Sequence, residues 1–175
     1  MLAVAGARRL GCANRAGSLW NASTGAGAFA VPPDEAVVAR AIDGDTVELA
    51  GGTRVRYIGI DTPETHRRVG DRWVDDVQPF GREAADFNRR QVEGKRVRLE
   101  YDVEPHDKYG RLLAYVYADG EMINARLLAE GYARLLTIPP NVKYADRFRA
   151  LVQEARRERR GMWAAARSRS SRQGF

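Results

Sequence analysis

Four charged side chains crowd the stretch from Ile42 to Thr65, and each stands beside a strand or turn signal: Asp45, Arg56, Asp61 and Glu64. Asp45 belongs to a tight DGDT turn. Arg56 and Asp61 belong to TRVRYIGID, which alternates and then becomes continuously apolar, as a strand does. Carboxylates at strand ends beside an arginine suit a site for a hard cation and a phosphate better than they suit a core.

Asp45 and Asp61 are candidate ligands for calcium or magnesium, because these ions prefer carboxylate, carbonyl and water oxygens. Two carboxylates from neighbouring strands would give an open, partly hydrated site. An EF-hand is excluded, since DGDTVE lacks the glycine that such a loop needs at its sixth position. The spacing also suits aspartates that only shape a turn or cap a strand end, so both interpretations remain open here.

Glu64 is a candidate general base. It follows Pro63, whose ring fixes φ near about −65° and holds the next residue rigidly. A carboxylate close to a bound metal, but not saturated by it, can orient and deprotonate a water molecule. An ordinary turn glutamate is the alternative.

Arg56 and Arg111 are candidate phosphate ligands, because guanidinium groups bind phosphate oxygens through two parallel hydrogen bonds. They also stabilise the charge that develops during phosphoryl transfer. Lys108 adds a positive charge on the same DKYGR turn as Arg111. For any one of these residues alone, a solvated strand face is the simpler interpretation, and only their convergence would indicate a site.

Zinc and thiol chemistry are not indicated. His66 and His106 have no cysteine at metal-ligand spacing, and Cys12 is the only cysteine, so no internal disulfide can form. No apolar run approaches the roughly 18 residues that a membrane span requires.

The net charge of +6 originates in the two ends of the chain. Residues 1–33 and 164–175 each carry three arginines and no acid, which leaves residues 34–163 with equal numbers of acidic and basic side chains. The high pI therefore favours anionic partners only weakly. We expect residues 1–33 to be a disordered or targeting extension, residues 34–163 to be one folded domain, and residues 164–175 to be a disordered basic tail.

Hydrophobic periodicity predicts five short strands, with one helix between them and two at the end. Strands are expected at 36–42, along the residues around Val47 and Leu49, at 53–61, at 96–101 and at 112–117, with an Asp-Gly hairpin turn at 118–121. Helices are expected at 80–92, 123–130 and 144–160, and residues 65–78 are expected to form an exposed loop. The pattern indicates an α+β, mainly β chain: a small β-barrel with flanking helices.

Three motifs in order, IDGDT, an arginine five residues before DTPET, and DKYGRLLAYVYADG, resemble the thermonuclease or staphylococcal nuclease-like family. The resemblance covers about Val37 to Trp163. It implies an OB-like five-stranded β-barrel with three flanking α-helices, and Ca²⁺-dependent cleavage of DNA and RNA.

By the same resemblance, Asp45 and Asp61 are the carboxylate ligands of calcium, and the Thr62 carbonyl is a third ligand. Glu64 activates the attacking water, and Arg56 and Arg111 bind the scissile phosphate. Products with 3′-phosphate ends are implied. All five charged positions are present, so the sequence gives no sign of an inactive enzyme.

The chain departs from the family after its second helix, where Thr137 and Pro139 stand in LLTIPPNVKY at positions that can carry tyrosines. Tyr109 and Tyr144, together with Lys108, are the candidate substrate contacts. The predicted loop at 65–78 also offers Arg67, Arg68, Arg72 and Trp73 to nucleic acid, although a purely solvated loop fits its composition equally well.

The main alternative function is a non-catalytic OB-fold module that binds single-stranded nucleic acid through aromatic side chains and a basic groove. The neutral body and the complete set of acids and arginines argue against it. We expect a monomer without a membrane span. The family resemblance favours secretion or the cell envelope, although the N-terminus shows no clear signal peptide.

Overall fold

The computed structural model of the chain describes residues 32–69, 72–75 and 78–165. The strands in these ranges are β1 (Glu35–Ala41), β2 (Thr46–Leu49), β3 (Arg54–Tyr57), β4 (Ile60–Asp61), β5 (His66–Val69), β6 (Arg72–Asp75), β7 (Arg96–Glu100), β8 (Leu112–Ala118), β9 (Glu121–Met122) and β10 (Arg134–Leu135). The helices are α1 (Gly81–Val92), α2 (Ile123–Ala129), α3 (Ala145–Arg157) and the short α4 (Met162–Ala165).

Five strands close into a barrel, in the order β3-β2-β1-β7-β8 with β3 paired back to β8. The pairings are antiparallel except the closing one, in which β3 runs parallel to β8 and Arg56 lies opposite Leu113. This closure matters for function, because it brings the start of β8, just after Arg111, beside the strand that carries Arg56.

The core fills the barrel and continues under the helices. Alternate residues of the strands point inward, and α1, α2 and α3 add their apolar faces. Its largest fully buried side chains include Tyr57, Tyr115, Phe148, Ile60, Ile123, Leu127 and Leu128.

The predicted fold class is confirmed: the chain is mainly β, with a closed five-stranded barrel and flanking helices. The predicted strands and helices are present with ends shifted by up to about three residues, except that the single strand predicted up to Asp61 is broken at residues 58–59 into β3 and β4. The Asp-Gly turn is also confirmed, since Ala118 pairs with Glu121, and Asp119 and Gly120 both have positive φ. The short pairing of β4 with β10 and the helix α4 were not predicted.

The prediction of an exposed loop at residues 65–78 was wrong, because β5 and β6 form an antiparallel hairpin within it. Charged residues interrupt the alternation of apolar and polar positions there, so the periodicity gave no strand signal. The dipeptide between the two strands, Gly-Asp, is nevertheless one that favours short hairpin connections. The side chains of Arg67, Arg68, Arg72 and Trp73 lie outside what the structure describes.

The predicted extension at residues 1–33 lies outside the described residues except for its last two. The predicted tail at 164–175 does so beyond residue 165. Trp163 of α4 packs against the core. No helix among the described residues is both long enough and apolar enough to cross a membrane.

Candidate active site

A tight turn between β1 and β2 places Asp45 against the segment that follows β4. The backbone N–H of Ile42 donates to the Thr46 carbonyl at 2.9 Å, which closes the turn. Gly44 is required at its tip, because a Cβ there would lie 2.7 Å from Oγ1 of Thr62 and 2.8 Å from its Cβ. The DGDT sequence therefore allows two distant segments to touch.

The Asp45 carboxylate is almost fully enclosed, with 1% of its side chain exposed. Its Oδ2 accepts a hydrogen bond from the Thr62 backbone N–H at 3.0 Å. Its Oδ1 accepts one from the Thr46 hydroxyl at 3.1 Å. These bonds fix the direction of the carboxylate, and they tie the first predicted metal ligand to the third.

Arg56 bridges the two predicted carboxylate ligands. One terminal nitrogen lies 2.8 Å from Asp45 Oδ1, and the other donates to Asp61 Oδ1 at 2.8 Å. Burial opposes the charge on Arg56, but the neighbouring carboxylates outweigh it and raise the pKa of the guanidinium. The Asp61 side chain is 44% exposed, so this part of the cluster is open to solvent and substrate.

The cluster has an excess of negative charge, and Asp43 contributes to it. Burial and the Asp43 carboxylate raise the pKa of Asp45 to about 8, although Arg56 and the Thr62 amide act in the opposite direction. Asp43 also raises the pKa of Glu64, together with burial, which is the larger cause. We did not predict a role for Asp43, although it stands two residues before Asp45 in the same turn.

Asp107 holds the turn that carries Arg111. It accepts hydrogen bonds from the Tyr109 and Arg111 backbone N–H groups at 2.8 and 3.0 Å, and from Nε of Arg111 at 2.7 Å. Burial opposes ionisation, but these contacts lower the pKa of Asp107 overall. The terminal nitrogens of Arg111 make no hydrogen bond within the described part of the chain, so they are available to an anion.

Residues from three stretches, 56–64, 104–113 and 136–141, form the walls of a cavity of about 600 Å³. Arg56, Glu64, Lys108, Tyr109 and Arg111 all line it. The remaining lining is largely apolar and includes Ile58, Ile60, Leu113, Leu136 and Ile138. Its volume falls within the range of small-molecule sites, and like them it combines a few charged side chains with a mainly apolar lining.

Glu64 extends into this cavity from the segment after β4. Its carboxylate has no hydrogen-bond partner among the described residues, and both Arg56 and Arg111 exert an attractive charge on it. The structure thus brings together the acid, the two arginines and the carboxylate pair that the sequence separates by up to 66 positions.

Of the three candidate substrate contacts, two line the cavity. Tyr109 is 73% exposed, with Lys108 Nζ 5.0 Å and Arg111 Cζ 5.5 Å from its ring centre. Tyr144 is elsewhere: it does not line the cavity, its ring packs at 4.7 Å against Tyr115, and its hydroxyl donates to Glu100 at 2.7 Å.

Two buried asparagines that the sequence did not single out fix the walls of the site. Asn88 of α1 accepts from the Tyr57 hydroxyl at 2.9 Å and donates to the Asp43 carbonyl at 2.9 Å. Asn141 exchanges two hydrogen bonds of 2.8 Å with the backbone of Glu104. The second pair links the loop before β8 to the loop before α3, and no local pattern could have revealed it.

A sequence model of the family described as staphylococcal nuclease homologue matches residues 54–165. This chain belongs to the staphylococcal nuclease family. The match covers β3, Glu64, the DKYGR turn and the helices. Asp45 lies outside the matched residues, but it contacts matched residues directly through Arg56 and Thr62.

Curated relatives from the same family extend this likeness. The chain is 46% identical over 125 residues to the thermonuclease of Staphylococcus intermedius, covering 70% of this chain and 69% of that protein. It is 41% identical over 130 residues to the thermonuclease of Staphylococcus hyicus, covering 73% and 74%. It is 42% identical over 130 residues to endonuclease YncB of Bacillus subtilis, covering 71% and 59%.

Proposed function

We propose that this protein is a calcium-dependent nuclease that hydrolyses phosphodiester bonds of DNA and RNA and leaves 3′-phosphate ends. The observation that carries the proposal is the convergence of Glu64, Arg56 and Arg111 on one cavity, beside the enclosed Asp45 and the open Asp61. Relatives that are named thermonuclease and endonuclease support the nuclease activity.

The donor set fits a hard divalent cation. Four carboxylates, those of Asp43, Asp45, Asp61 and Glu64, interact with two arginines, which leaves two negative charges in excess when all four are ionised. Burial raises the pKa of Asp45 to about 8, so its ionised form lacks full compensation. No three acidic, histidine or cysteine side chains converge on one point in the described part of the chain. With only Asp45 and Asp61 as proposed carboxylate ligands, the remaining ligands would be the Thr62 carbonyl and water, a set that calcium accepts.

In the proposed site, Asp45, Asp61 and the Thr62 carbonyl would hold Ca²⁺. When bound, the ion would supply Lewis-acid polarisation of a phosphoryl oxygen and would offset the excess negative charge. Arg56, already shared between the two aspartates, stands where it can transfer one of its hydrogen bonds to the phosphate.

Glu64 accepts a proton from a water molecule as the water oxygen attacks phosphorus. The phosphorus–O5′ bond breaks, the new phosphorus–oxygen bond becomes part of a 3′-phosphate, and the departing 5′ oxygen takes a proton from solvent. Arg56 and the free terminal nitrogens of Arg111 neutralise the charge that builds up on the equatorial oxygens. Positioning and electrostatics supply most of the acceleration in such chemistry.

Single substitutions at the cavity test these roles. Glu64→Gln removes the proton acceptor while preserving shape, and Arg111→Ala removes a phosphate ligand. Each should lower kcat for cleavage of single-stranded DNA by roughly 10²- to 10³-fold or more. Unchanged calcium-dependent cleavage in either variant would overturn the corresponding role. Labelling of the product ends, with and without phosphatase, tests for the 3′-phosphate.

The alternative function, a module that binds nucleic acid without cutting it, would give strong binding and no cleavage at any calcium concentration. The monomeric state that we propose is tested by light scattering on the protein with and without calcium.

A further inference from the structure

The backbone of Glu64 is held where the two ends of the segment that contains the β5–β6 hairpin meet. The chain leaves the site after Glu64 and returns at Gln78, whose backbone N–H donates to the Glu64 carbonyl at 3.0 Å. The Gln78 carbonyl then accepts from the Gly81 N–H at 2.9 Å, and α1 begins at once. The start of this helix therefore lies directly against the residue proposed to activate water.

Gly81 makes this approach possible. A Cβ at this position would lie 2.7 Å from the Glu64 carbonyl oxygen, 3.1 Å from the Pro63 carbonyl oxygen and 3.2 Å from the Glu64 carbonyl carbon. All three are backbone atoms, which cannot turn aside as a flexible side chain can. The residue before it, Phe80, has a φ of 70°, so the chain enters the helix through a left-handed turn.

Helix α1 and the segment before Glu64 are each anchored to the DGDT turn. Asn88, two turns further along α1, donates to the Asp43 carbonyl, which ties the helix to the DGDT turn. On the other side, the Thr62 N–H donates to the buried Asp45 carboxylate and so fixes the segment that leads to Glu64. Since α1 is anchored and the other anchor lies at Thr62, two residues before Glu64, an added methyl group at Gly81 would displace mainly the Glu64 backbone.

The Glu64 side chain depends on its backbone for its direction, because its carboxylate has no hydrogen-bond partner among the described residues. We propose that Gly81 is a positioning residue. Because it has no Cβ, the Glu64 carbonyl can lie against it, and this contact fixes the position of the Glu64 backbone and so of the carboxylate that activates water. This inference rests on the proposed role of Glu64 in hydrolysis.

Gly81→Ala in the full chain tests it, with Gly51→Ala as the control. Gly51 has no atom within 4 Å of an added Cβ and no positive φ. Since a displacement of about 1 Å can reduce turnover by about 10²-fold, we expect Gly81→Ala to lower kcat by at least about ten-fold. KM and the affinity for a nucleoside 3′,5′-bisphosphate should each change far less, a lower melting temperature is expected from the displaced backbone, and Gly51→Ala should match the unsubstituted protein.

The decisive comparison uses the Glu64→Gln background. If Gly81 acts through Glu64, adding Gly81→Ala to Glu64→Gln should cause no further loss of kcat, because the two effects are coupled. An equal loss in both backgrounds, or a loss confined to KM and stability, would overturn the inference. If Gly81→Ala fails to fold, Gln78→Pro, which removes the N–H bonded to Glu64, should show the same dependence on Glu64.

The two proposals fail in different ways. Cleavage that is unaffected by Glu64→Gln would overturn the role of Glu64 and the inference with it. Cleavage that is lost in Glu64→Gln but has an unchanged kcat in Gly81→Ala would overturn only the inference about Gly81.

Discussion

Asp45 Oδ1 lies 2.8 Å from a terminal nitrogen of Arg56, and the carboxylate is 1% exposed. A buried ion pair of this kind is a weak source of stability, because desolvation offsets much of the attraction. The same arginine also bonds to Asp61, which is open to solvent. The pair thus connects the enclosed side of the cluster to its open side, where a cation and a phosphate can enter.

Calcium should stabilise the protein, because it would bind the folded cluster and not the dispersed carboxylates of the unfolded chain. We predict that the melting temperature rises with millimolar calcium, and rises further with a nucleoside 3′,5′-bisphosphate. Differential scanning fluorimetry measures both shifts. Asp61→Asn should reduce the calcium shift, and an identical shift in this variant would argue against Asp61 as a ligand.

Without metal, the contribution of Asp45 to stability should fall as the pH rises from about 4 to about 8. The pKa of Asp45 is raised from 3.8 to about 8, so the folded state holds a proton that the unfolded state has already released in this interval. Stability decreases with pH wherever the folded state binds more protons. This contribution is therefore complete below the unfolded pKa and is lost as the pH passes the folded one.

Urea unfolding in EDTA across this pH interval measures the effect. Asp45→Asn should flatten the dependence, since it removes the titrating group while keeping its shape. A metal-free protein that becomes more stable from about pH 5 to about pH 8 would contradict the assignment.

Replacing Arg111 by lysine should reduce kcat strongly, although the charge is retained. Lysine lacks the second terminal nitrogen and the Nε that bonds to Asp107 at 2.7 Å, so it cannot reproduce the fork. We expect a loss of roughly 10²-fold, by analogy with other transition-state donors. Steady-state cleavage of single-stranded DNA checks this, with the exposed Arg149→Lys of α3 as control, and equal rates in the two variants would contradict it.

Asn141→Ala should destabilise the fold by about 1–3 kcal/mol, because it leaves the Glu104 N–H and carbonyl without their 2.8 Å partners. The loop that carries Lys108 and Tyr109 would lose its link to the opposite wall of the cavity. We therefore also expect a higher KM for short oligonucleotides. Denaturant unfolding and initial rates measure the two effects, and neither should appear in Val142→Ala.

Substitutions of the two candidate tyrosines should have different effects on KM and on stability. Tyr109→Ala should raise KM, since the ring lines the cavity beside Lys108 and Arg111. Tyr144→Phe should leave KM unchanged and should cost about 1 kcal/mol of stability, because it removes the hydrogen bond from the Tyr144 hydroxyl to Glu100. Burial raises the pKa of Glu100, but hydrogen bonds such as this one lower it to about 2. A raised KM in Tyr144→Phe would instead assign that residue to the substrate.

The sequence predicted the barrel because each main strand shows its own alternation of apolar and polar residues. Each turn also contains a glycine or asparagine that signals it, as at Gly120. The sequence also predicted which acids and arginines to examine, through three ordered motifs. Contacts between distant segments were not predictable in this way. The Asn88 bond to Asp43 spans 45 residues and that of Asn141 to Glu104 spans 37, and neither asparagine differs locally from a surface one. Hairpin β5–β6 was missed since its strands are short and charged.

The most direct test of the proposed activity is cleavage of plasmid and single-stranded DNA with calcium, after addition of EGTA, and after calcium is restored in excess. We predict cutting with calcium, none with EGTA, recovery on restoring calcium, and no recovery in Glu64→Gln. Tight binding without cutting under all three conditions, or cutting that continues undiminished in EGTA, would contradict a calcium-dependent nuclease.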